Sequence, residues 1–278
     1  LKYYQEDGTT PAVESDATTA PKDVGTYTVK IDVADGDIYA TADGLGGGWT
    51  FTIKPATLTV ESITAENKTY DGTDTAAVSG VTFSGLVTPE GQPETLELGT
   101  DFTVSEAAFE DATVGANKQV TAKITLTSAK AKNYTFEGSS TTTSETTADI
   151  SAFNISSAAV ELADSTLTYT GSALEPTVNS VTVKLDGTTD TPLYKDTDYT
   201  VSYKDNTNAG TATVTVTAVE GNNFTGFAST TFTIDPATPN DSKLTPSPSL
   251  EATYGQTLGD IRKGLATTIG SFLDVDGD

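Results

Sequence analysis

The acidic residues near the end of the chain are the first candidates for chemistry, because carboxylates at alternate positions can bind calcium. Asp274, Asp276 and Asp278 have this spacing, and calcium takes about six to eight oxygen ligands. The tract does not include the bidentate Glu of an EF-hand loop, and short acidic turns are common in a chain this acidic. We therefore favour a solvated turn and keep calcium as the alternative. The same interpretation applies to a second acidic group, made of Asp32, Asp35, Asp37 and Asp43.

Aromatic side chains are the second kind of candidate, since tyrosine and tryptophan are enriched where proteins bind partners. Trp49 is the only tryptophan and follows a glycine-rich stretch, so an exposed Trp49 would suit stacking on a sugar. Its alternation with Phe51 and Ile53 predicts instead that its ring lies in a core. Five tyrosines are candidates for a ligand platform, although the alternation predicts burial of some of them: Tyr3, Tyr4, Tyr194, Tyr199 and Tyr203.

Residue types on which most enzymes depend are missing from the sequence. It contains no His and no Cys, which removes the commonest general base, the commonest metal ligand and all thiol chemistry. An enzyme would need a pair of carboxylates, and the sequence alone places no two acidic residues in that role. We therefore predict that the protein is not an enzyme and has neither catalytic residues nor a cofactor.

The net charge and the apolar content restrict the partners. The 278 residues carry a formal net charge of -24, which repels a phosphate backbone and argues against nucleic-acid binding. No run approaches the roughly 18 apolar residues that a membrane helix needs. We expect neither nucleic-acid partners nor membrane insertion, and the charge suits an extracellular chain.

The elements that carry these candidates are predicted to be β-strands. In the segment 208–234, Ala212, Val214 and Val216 alternate with threonines, which is the two-residue period of a half-buried strand. Pro236 ends the segment, because proline cannot extend a hydrogen-bond ladder. Threonine, valine and aromatic residues favour pleated surfaces throughout the chain, so the predicted fold class is all-β.

The strand pattern recurs, which predicts an elongated array of tandem Ig-like β-sandwich domains. A glycine and alternating apolar residues begin each pattern, and an isoleucine ends it, at Ile53, Ile150 and Ile234. Four segments are predicted: the C-terminal half of a repeat (1–54), a complete repeat (55–152), a compact complete repeat (153–235), and a linker with the N-terminal half of a further repeat (236–278).

Two short motifs give the chain a family resemblance. Tyr70-Asp71-Gly72-Thr73 matches the namesake motif of the bacterial surface repeats called YDG domains, and Tyr254-Gly255-Gln256-Thr257 resembles the opening of an MBG domain. The segment 198–211 is similar to the Ig-like repeats of many Gram-positive surface proteins. The resemblance covers nearly the whole chain, with 1–54 and 236–278 as MBG-like halves, 55–152 as YDG-like and 153–235 as Ig-like.

A departure from the namesake motif indicates what its aspartate does. In Tyr169-Thr170-Gly171, Thr170 stands where Asp71 stands in the earlier copy. We therefore expect Asp71 to shape a turn and not to act as a catalyst.

The resemblance implies a structural role at the bacterial cell surface or cell wall. Such modules are spacers and adhesive arms, so we expect a stalk, fibre or adhesive arm whose partners are neighbouring copies or flanking repeats. The alternative is a module that binds carbohydrate or a host protein, with Trp49, Tyr199 and Tyr203 as ligand candidates. Related Gram-positive domains contain Lys–Asn cross-links, and the candidates here are Lys30, Lys123 and Lys184. The alternation places Lys30 and Lys123 on polar faces, so we favour solvated lysines.

The two partial repeats are predicted to complement each other. Together they are as long as the spacing from Ile53 to Ile150, and each alone would leave strand edges unpaired. One explanation, which we favour here, is that the sequence is one period of a longer array. The other is that separate chains join head to tail, with Tyr27, Val29 and Ile31 of one chain packing on the segment 254–269 of the next.

Overall fold

The structure is a computed structural model that describes residues 1–13, 17–36, 38–87, 94–238 and 253–255. Regular structure in these residues consists of β-strands and two single-turn 3-10 helices, Ala131–Asn133 and Ile155–Ser157. The all-β prediction is confirmed, in keeping with the threonine and valine content. The chain divides into two compact units, Leu1–Ser151 and Ala152–Asp278. No helix in the described part of the chain is long and apolar enough to span a membrane.

Unit 1 begins with a three-stranded antiparallel sheet. Its strands are β1 (Lys2–Gln5), β2 (Gly25–Val33) and β3 (Ala42–Ile53), in that order across the sheet. Tyr3 lies opposite Val29, and Tyr27 lies opposite Phe51. The strand pair that the sequence pattern predicts for residues 25–53 is therefore present, with the first strand of the chain added on the other side of β2.

The rest of unit 1 forms two sheets that pack on each other. The strands are β4 (Ala56–Thr57), β5 (Thr59–Ala65), β6 (Lys68–Thr69), β7 (Val78–Ser84), β8 (Phe102–Phe109), β9 (Gly115–Leu126), β10 (Tyr134–Thr135) and β11 (Thr141–Ser151). One sheet has the order β6-β11-β9-β8, and the other pairs β5 with β7. A short parallel pair joins β4 and β10.

The core of this sandwich lies between the two sheets. Phe83 of β7 meets Phe102 of β8 edge to face, with ring centroids 5.0 Å apart. Ile63 of β5 and Ile124 of β9 are buried in the same cluster. Because successive side chains of a strand point to opposite faces, the residues between these positions face away from this core. A second, smaller cluster of buried residues surrounds Phe109.

Unit 2 has the same order of strands in its larger sheet. Its strands are β12 (Phe153–Asn154), β13 (Ala159–Leu162), β14 (Thr166–Thr168), β15 (Val178–Lys184), β16 (Asp190–Pro192), β17 (Tyr199–Lys204), β18 (Gly210–Ala218), β19 (Phe224–Thr225) and β20 (Phe227–Asp235). The larger sheet has the order β14-β20-β18-β17, and the smaller one has the order β13-β15-β16. A short parallel pair joins β12 and β19.

In three sheets, namely the first sheet and the four-stranded sheet of each unit, a glycine lies opposite an isoleucine at the same point. In each case the glycine is the first residue of the central strand, and the isoleucine lies at or near the end of its antiparallel partner. The pairs are Gly25 with Ile53, Gly115 with Ile150, and Gly210 with Ile234. The sequence pattern that ends in these isoleucines thus corresponds to one strand pairing in one register.

The first sheet contacts the sandwich of unit 1 through the loop before β2. The backbone N–H of Val24 donates to Asn133 Oδ1 at 2.8 Å, and Asn133 Nδ2 donates to Asp23 Oδ1 at 2.8 Å. The hydroxyl of Tyr27 donates to the Asp23 carbonyl at 2.9 Å. Tyr27 is also buried. The first residues of β2 are therefore fixed by these hydrogen bonds next to Asn133.

Candidate functional site

The first sheet carries a surface that we call the aromatic face, formed by Tyr3, Tyr27, Val29, Trp49 and Phe51. The ring of Phe51 lies at its centre, with its centroid 6.2 Å from that of Tyr3 and 5.4 Å from that of Tyr27. The pairing of the three strands places these side chains on one side of the pleat. Tyr27 is buried, Tyr3, Val29 and Phe51 are half-buried, and Trp49 is exposed. The exposed part of the face is therefore centred on Trp49, and exposed apolar patches are the surfaces that partners cover.

Trp49 lies on the aromatic face but is 57% exposed, so the prediction that its ring is buried in a core is wrong. The alternation itself is correct, since Trp49 lies opposite Val29 and in phase with Phe51. The register of β2 and β3 breaks beyond Val29, where Gly46 and Gly48 have φ angles of +96° and +110°. In addition, no second sheet among the described residues covers the face.

Of the three tyrosine candidates in unit 2, Tyr194 is 65% exposed, and the other two have different environments. Tyr199 is only 4% exposed, and burial is the main reason why its pKa is raised. Tyr199 is thus a core residue and presents no platform to a ligand. Tyr203 is half-buried, and its hydroxyl donates to the Pro176 carbonyl at 2.8 Å.

Tyr203 lines a cleft of about 520 Å³ in unit 2. The polar residues of this cleft are Glu175, Thr177, Lys195, Ser202, Tyr203 and Asn206. They provide one ring, both signs of charge and several hydrogen-bonding groups, which is a combination that suits a polar ligand. The cleft lies between the edge strand β17 and the segment before β15.

The acidic candidates near the first sheet have protein partners. Asp32 forms a 2.6 Å ion pair with Lys2 and accepts a 2.8 Å hydrogen bond from the Gly44 N–H. The hydrogen bond from Lys2 is the main reason why the pKa of Asp32 is lowered. No group of three or more acidic side chains in the described part of the chain could hold a metal ion. Asp37, Asp274, Asp276 and Asp278 lie outside the described residues, so the solvated turn that we favour at the last three, and calcium as its alternative, are not tested.

The three lysines considered for cross-links each contact a group other than Asn. Lys30 Nζ lies 4.8 Å from the centroid of the Tyr4 ring. Lys123 pairs with Glu106 at 3.1 Å, and Lys184 pairs with Asp190 at 2.8 Å. The last two ion pairs are largely exposed, as expected for polar faces of strands.

The Tyr70-Asp71-Gly72-Thr73 motif forms a turn after β6 that Asp71 organises. Asp71 Oδ1 accepts hydrogen bonds from Lys68 Nζ at 2.8 Å, from the Thr73 N–H at 2.8 Å and from Thr73 Oγ1 at 2.9 Å. Gly72 has a φ angle of +80°, in the left-handed region that favours glycine. The expectation that Asp71 shapes a turn is confirmed.

The corresponding turn of unit 2 keeps this path without the aspartate. Gly171 has a φ angle of +82°, close to that of Gly72. The Tyr169 N–H donates to the Asp235 carbonyl at 2.9 Å. Thr170 replaces the aspartate, so the glycine and the tyrosine backbone are sufficient to define the turn.

A second aspartate-centred turn lies before β8, and the sequence analysis did not single it out. Asp101 accepts hydrogen bonds from the Glu97 N–H at 3.0 Å and from Ser128 Oγ at 2.7 Å, and it pairs with Lys130 at 2.8 Å. In unit 2, Asp198 Oδ2 accepts a hydrogen bond from the Tyr194 N–H at 2.8 Å. The available signal was an aspartate directly before an aromatic residue that begins a strand, at 101–102 and 198–199.

Comparisons with known proteins found a similarity for one part of the chain. No curated protein and no solved structure gave a significant match. One family model matches, that of the YDG domain, over residues 54–144. These residues include the Asp71 turn, the Asp101 turn and strands β4 to β10. Residues 54–144 are therefore similar to YDG domains, which confirms that part of the resemblance.

Proposed function

We propose that the protein is a structural segment of a large bacterial cell-surface protein, where it serves as a stalk, fibre or adhesive arm. Its domains are tandem Ig-like repeats in an elongated array, and its role is to space and to bind, without catalysis. The observation that carries the proposal is the glycine–isoleucine register shared by the first sheet and the four-stranded sheet of each unit. One strand arrangement used repeatedly along a chain is typical of repeat proteins.

The use of polar side chains supports a structural role. Asp71 binds the Thr73 N–H and Lys68 within its own turn, and Asp101 binds the Glu97 N–H of its turn and the more distant Lys130. Every buried side-chain nitrogen or oxygen among the described residues has a hydrogen-bond partner. Reactive sites usually hold polar groups in strained or incompletely paired positions, whereas these groups stabilise loops.

Charge and composition support a location outside the cell. A net charge of -24 keeps a long exposed chain soluble, and the match to the YDG domain connects residues 54–144 with repeats that our resemblance places on bacterial surfaces. The partners that fit are flanking repeats, neighbouring copies, and host glycans or surface proteins.

Small-angle X-ray scattering of the whole chain tests the array. Tandem domains should give an elongated profile, with a radius of gyration clearly above the value of about 19 Å expected for one compact domain of this length. A value near 19 Å, independent of protein concentration, would overturn the elongated array.

The cleft at Tyr203 supports a second candidate, a module that binds carbohydrate or a host protein. A glycan array probed with the labelled chain tests it. The double substitution Glu175→Ala and Lys195→Ala changes two exposed residues of the cleft, and Glu61→Ala with Lys204→Ala is the control outside it. Binding that is lost only in the first variant supports the module. Silence across the array counts against it.

A further inference from the structure

The last strand of the sandwich in unit 1 has a short parallel strand on its outer edge. Strand β6 lies there, with Lys68 opposite Ile150 and Thr69 opposite Ser151. The next residue, Tyr70, donates its backbone N–H to the Ser151 carbonyl at 2.8 Å. This edge is therefore closed by a strand that comes from the beginning of the same sandwich.

The larger sheet of unit 2 is closed in the same way. Strand β14 lies on the outer edge of β20, with Leu167 opposite Ile234 and Thr168 opposite Asp235. Tyr169 then donates its backbone N–H to the Asp235 carbonyl at 2.9 Å. In both sheets a strand of the type x-Thr-Tyr thus covers the edge next to the glycine–isoleucine pair.

The first sheet has the same glycine–isoleucine pair but a different edge. Gly25 lies opposite Ile53, and β3 is the edge strand of its sheet, with no parallel strand beside it among the described residues. An edge strand presents a row of N–H and C=O groups that can pair with another strand. The outer edge of β3 near Thr52, Ile53 and Lys54 is such a template.

The aromatic face beside this edge is less covered than its equivalent in unit 2. Counted from the glycine, Val29 and Ile31 correspond to Val214 and Val216. Val214 and Val216 are fully buried, whereas Val29 and Ile31 are half-buried, and Trp49 is more than half exposed. In the part of the chain that the structure describes, neither the face nor the edge is covered by the part of a sandwich that begins with the parallel strand in unit 2.

The sequence contains one further segment with the required pattern. Residues 251–254 read Glu-Ala-Thr-Tyr, and residues 166–169, which include β14, read Thr-Leu-Thr-Tyr. Tyr254 is fully exposed. Gly255 has a φ angle of +101°, in the left-handed region that the turn glycines Gly72 and Gly171 also occupy. Apolar residues that can cover a face follow it: Leu258, Ile261, Leu265, Ile269 and Phe272.

We infer that the outer edge of β3 and the aromatic face bind the segment 250–278 of a second copy of this chain. The register of β14 on β20 gives the register of the contact. Ala252 lies opposite Ile53, Thr253 lies opposite Lys54, and the N–H of Tyr254 donates to the Lys54 carbonyl. The added strand runs parallel to β3, and the apolar residues after it cover Trp49 and its neighbours.

The contact is heterologous, because the edge and the segment are different parts of the chain. Such contacts need not close, so the chains join head to tail into filaments. Each copy carries a net charge of -24, and salt screens the repulsion between copies. Assembly therefore strengthens as the ionic strength rises.

An engineered disulfide tests the register in the full chain, which has no cysteine of its own. Lys54→Cys together with Thr253→Cys should give a ladder of covalent oligomers under oxidising conditions, because paired strand residues have the spacing that a disulfide needs. The control pair, Lys54→Cys with Ser249→Cys, is four residues out of register and should give few. Equal yields from both pairs, or a cross-link within one chain, would overturn the inference.

Mixing two blocked chains tests the head-to-tail arrangement. Trp49→Glu places a charge on the aromatic face, and Ala252→Pro removes strand pairing from the segment. Each variant alone should sediment as a monomer, and their mixture should form dimers, since one chain keeps the segment and the other keeps the edge. The control is Tyr194, an aromatic residue of unit 2 that is 65% exposed. The variant Tyr194→Glu should assemble like the unsubstituted chain. Circular dichroism verifies that the variants are folded.

The contact between copies and the proposed stalk role can fail independently of each other. An unsubstituted chain that stays monomeric at high salt and about 100 µM would overturn the contact, because a contact with a micromolar Kd would be largely formed at that concentration. A monomer with an elongated scattering profile would overturn it and leave the stalk proposal standing. Oligomers that persist in both blocked variants would show a different contact and overturn it as well.

Discussion

Lys68 and Asp71 form a 2.8 Å ion pair that ties the end of β6 to the turn after it. The Lys68 side chain is 17% exposed, and its Nζ also donates to the carbonyls of Thr73 and Thr75 at 2.7 and 3.0 Å. It lies 5.6 Å from the ring centroid of Phe109. Desolvation alone would raise the pKa of Asp71, but the hydrogen bonds from Lys68 and Thr73 outweigh it and lower the pKa. Asp71 therefore balances a partly buried charge and also fixes the turn.

We predict that Asp71→Ala destabilises unit 1 by about 1–3 kcal/mol, because it removes an acceptor of three hydrogen bonds and leaves the Lys68 ammonium without its carboxylate. Urea unfolding followed by Trp49 emission measures the loss, since the only tryptophan lies in unit 1. Asp71→Asn keeps an oxygen for the Thr73 N–H and should lose less. Equal losses in the two variants would contradict the role of the turn hydrogen bonds, and no loss in either would contradict both roles.

A second prediction concerns how much Asp101 contributes to stability as the pH falls. The hydrogen bond from Lys130 is the main reason why the pKa of Asp101 is lowered below 3.8, with further hydrogen bonds from Ser128 and the Glu97 N–H. A lowered pKa in the folded state means that the carboxylate contributes stability above the unfolded pKa and loses it as the pH falls through the folded one. The contribution is thus complete above about pH 5 and declines below 3.8.

The substitution Asp101→Asn isolates this contribution from those of other carboxylates. We expect the variant to be less stable than the parent by about 1–3 kcal/mol at pH 7, and the difference to shrink as the pH falls to 3. Urea midpoints measured across this range give the result. A difference that stays constant with pH would mean that the ionised carboxylate is not the stabilising form.

Alternation and turn residues were sufficient to predict the strand pairs that end at Ile53, Ile150 and Ile234, because both signals depend on neighbouring residues. The glycine–isoleucine pattern predicted the pairing of β18 with β20 correctly, since a buried face permits only one register. The exposure of Trp49 could not be predicted in this way. Alternation gives the side of the sheet on which a ring lies, whereas burial depends on whether distant chain covers that side. The Asp101 turn was missed for a similar reason, because Lys130 and Ser128 are remote in sequence.

A third prediction compares two glycines with similar backbones. Gly85 and Gly99 have φ angles of +88° and +82°. A Cβ at Gly85 would lie 2.3 Å from the Thr57 carbonyl oxygen, whereas a Cβ at Gly99 would meet nothing within 4 Å. Gly99→Ala should therefore cost only the left-handed strain of about 1–2 kcal/mol.

Gly85→Ala should cost the same strain and about 1–3 kcal/mol more, because the backbone at Thr57 must move. Urea unfolding of both variants gives the difference directly, and Gly99→Ala is the matched control. Equal losses would show that strand β4, which contains Thr57, shifts freely, and this would contradict the close contact between β4 and Gly85.

The final prediction uses Trp49 as a reporter of the aromatic face. A ring that is 57% exposed emits at long wavelength and is readily quenched by acrylamide. When the segment 250–278 of a second chain covers the face, the emission should shift to shorter wavelength and the quenching should fall, because the ring is removed from water. Both changes should grow with protein concentration and with salt, since salt screens the repulsion between acidic chains. The substitution Ala252→Pro should abolish the concentration dependence. Tyr194→Glu should leave it intact, because it adds the same charge at a residue of unit 2 that is not part of the face. An emission maximum that does not move with concentration while the chains assemble would mean that they assemble through another surface.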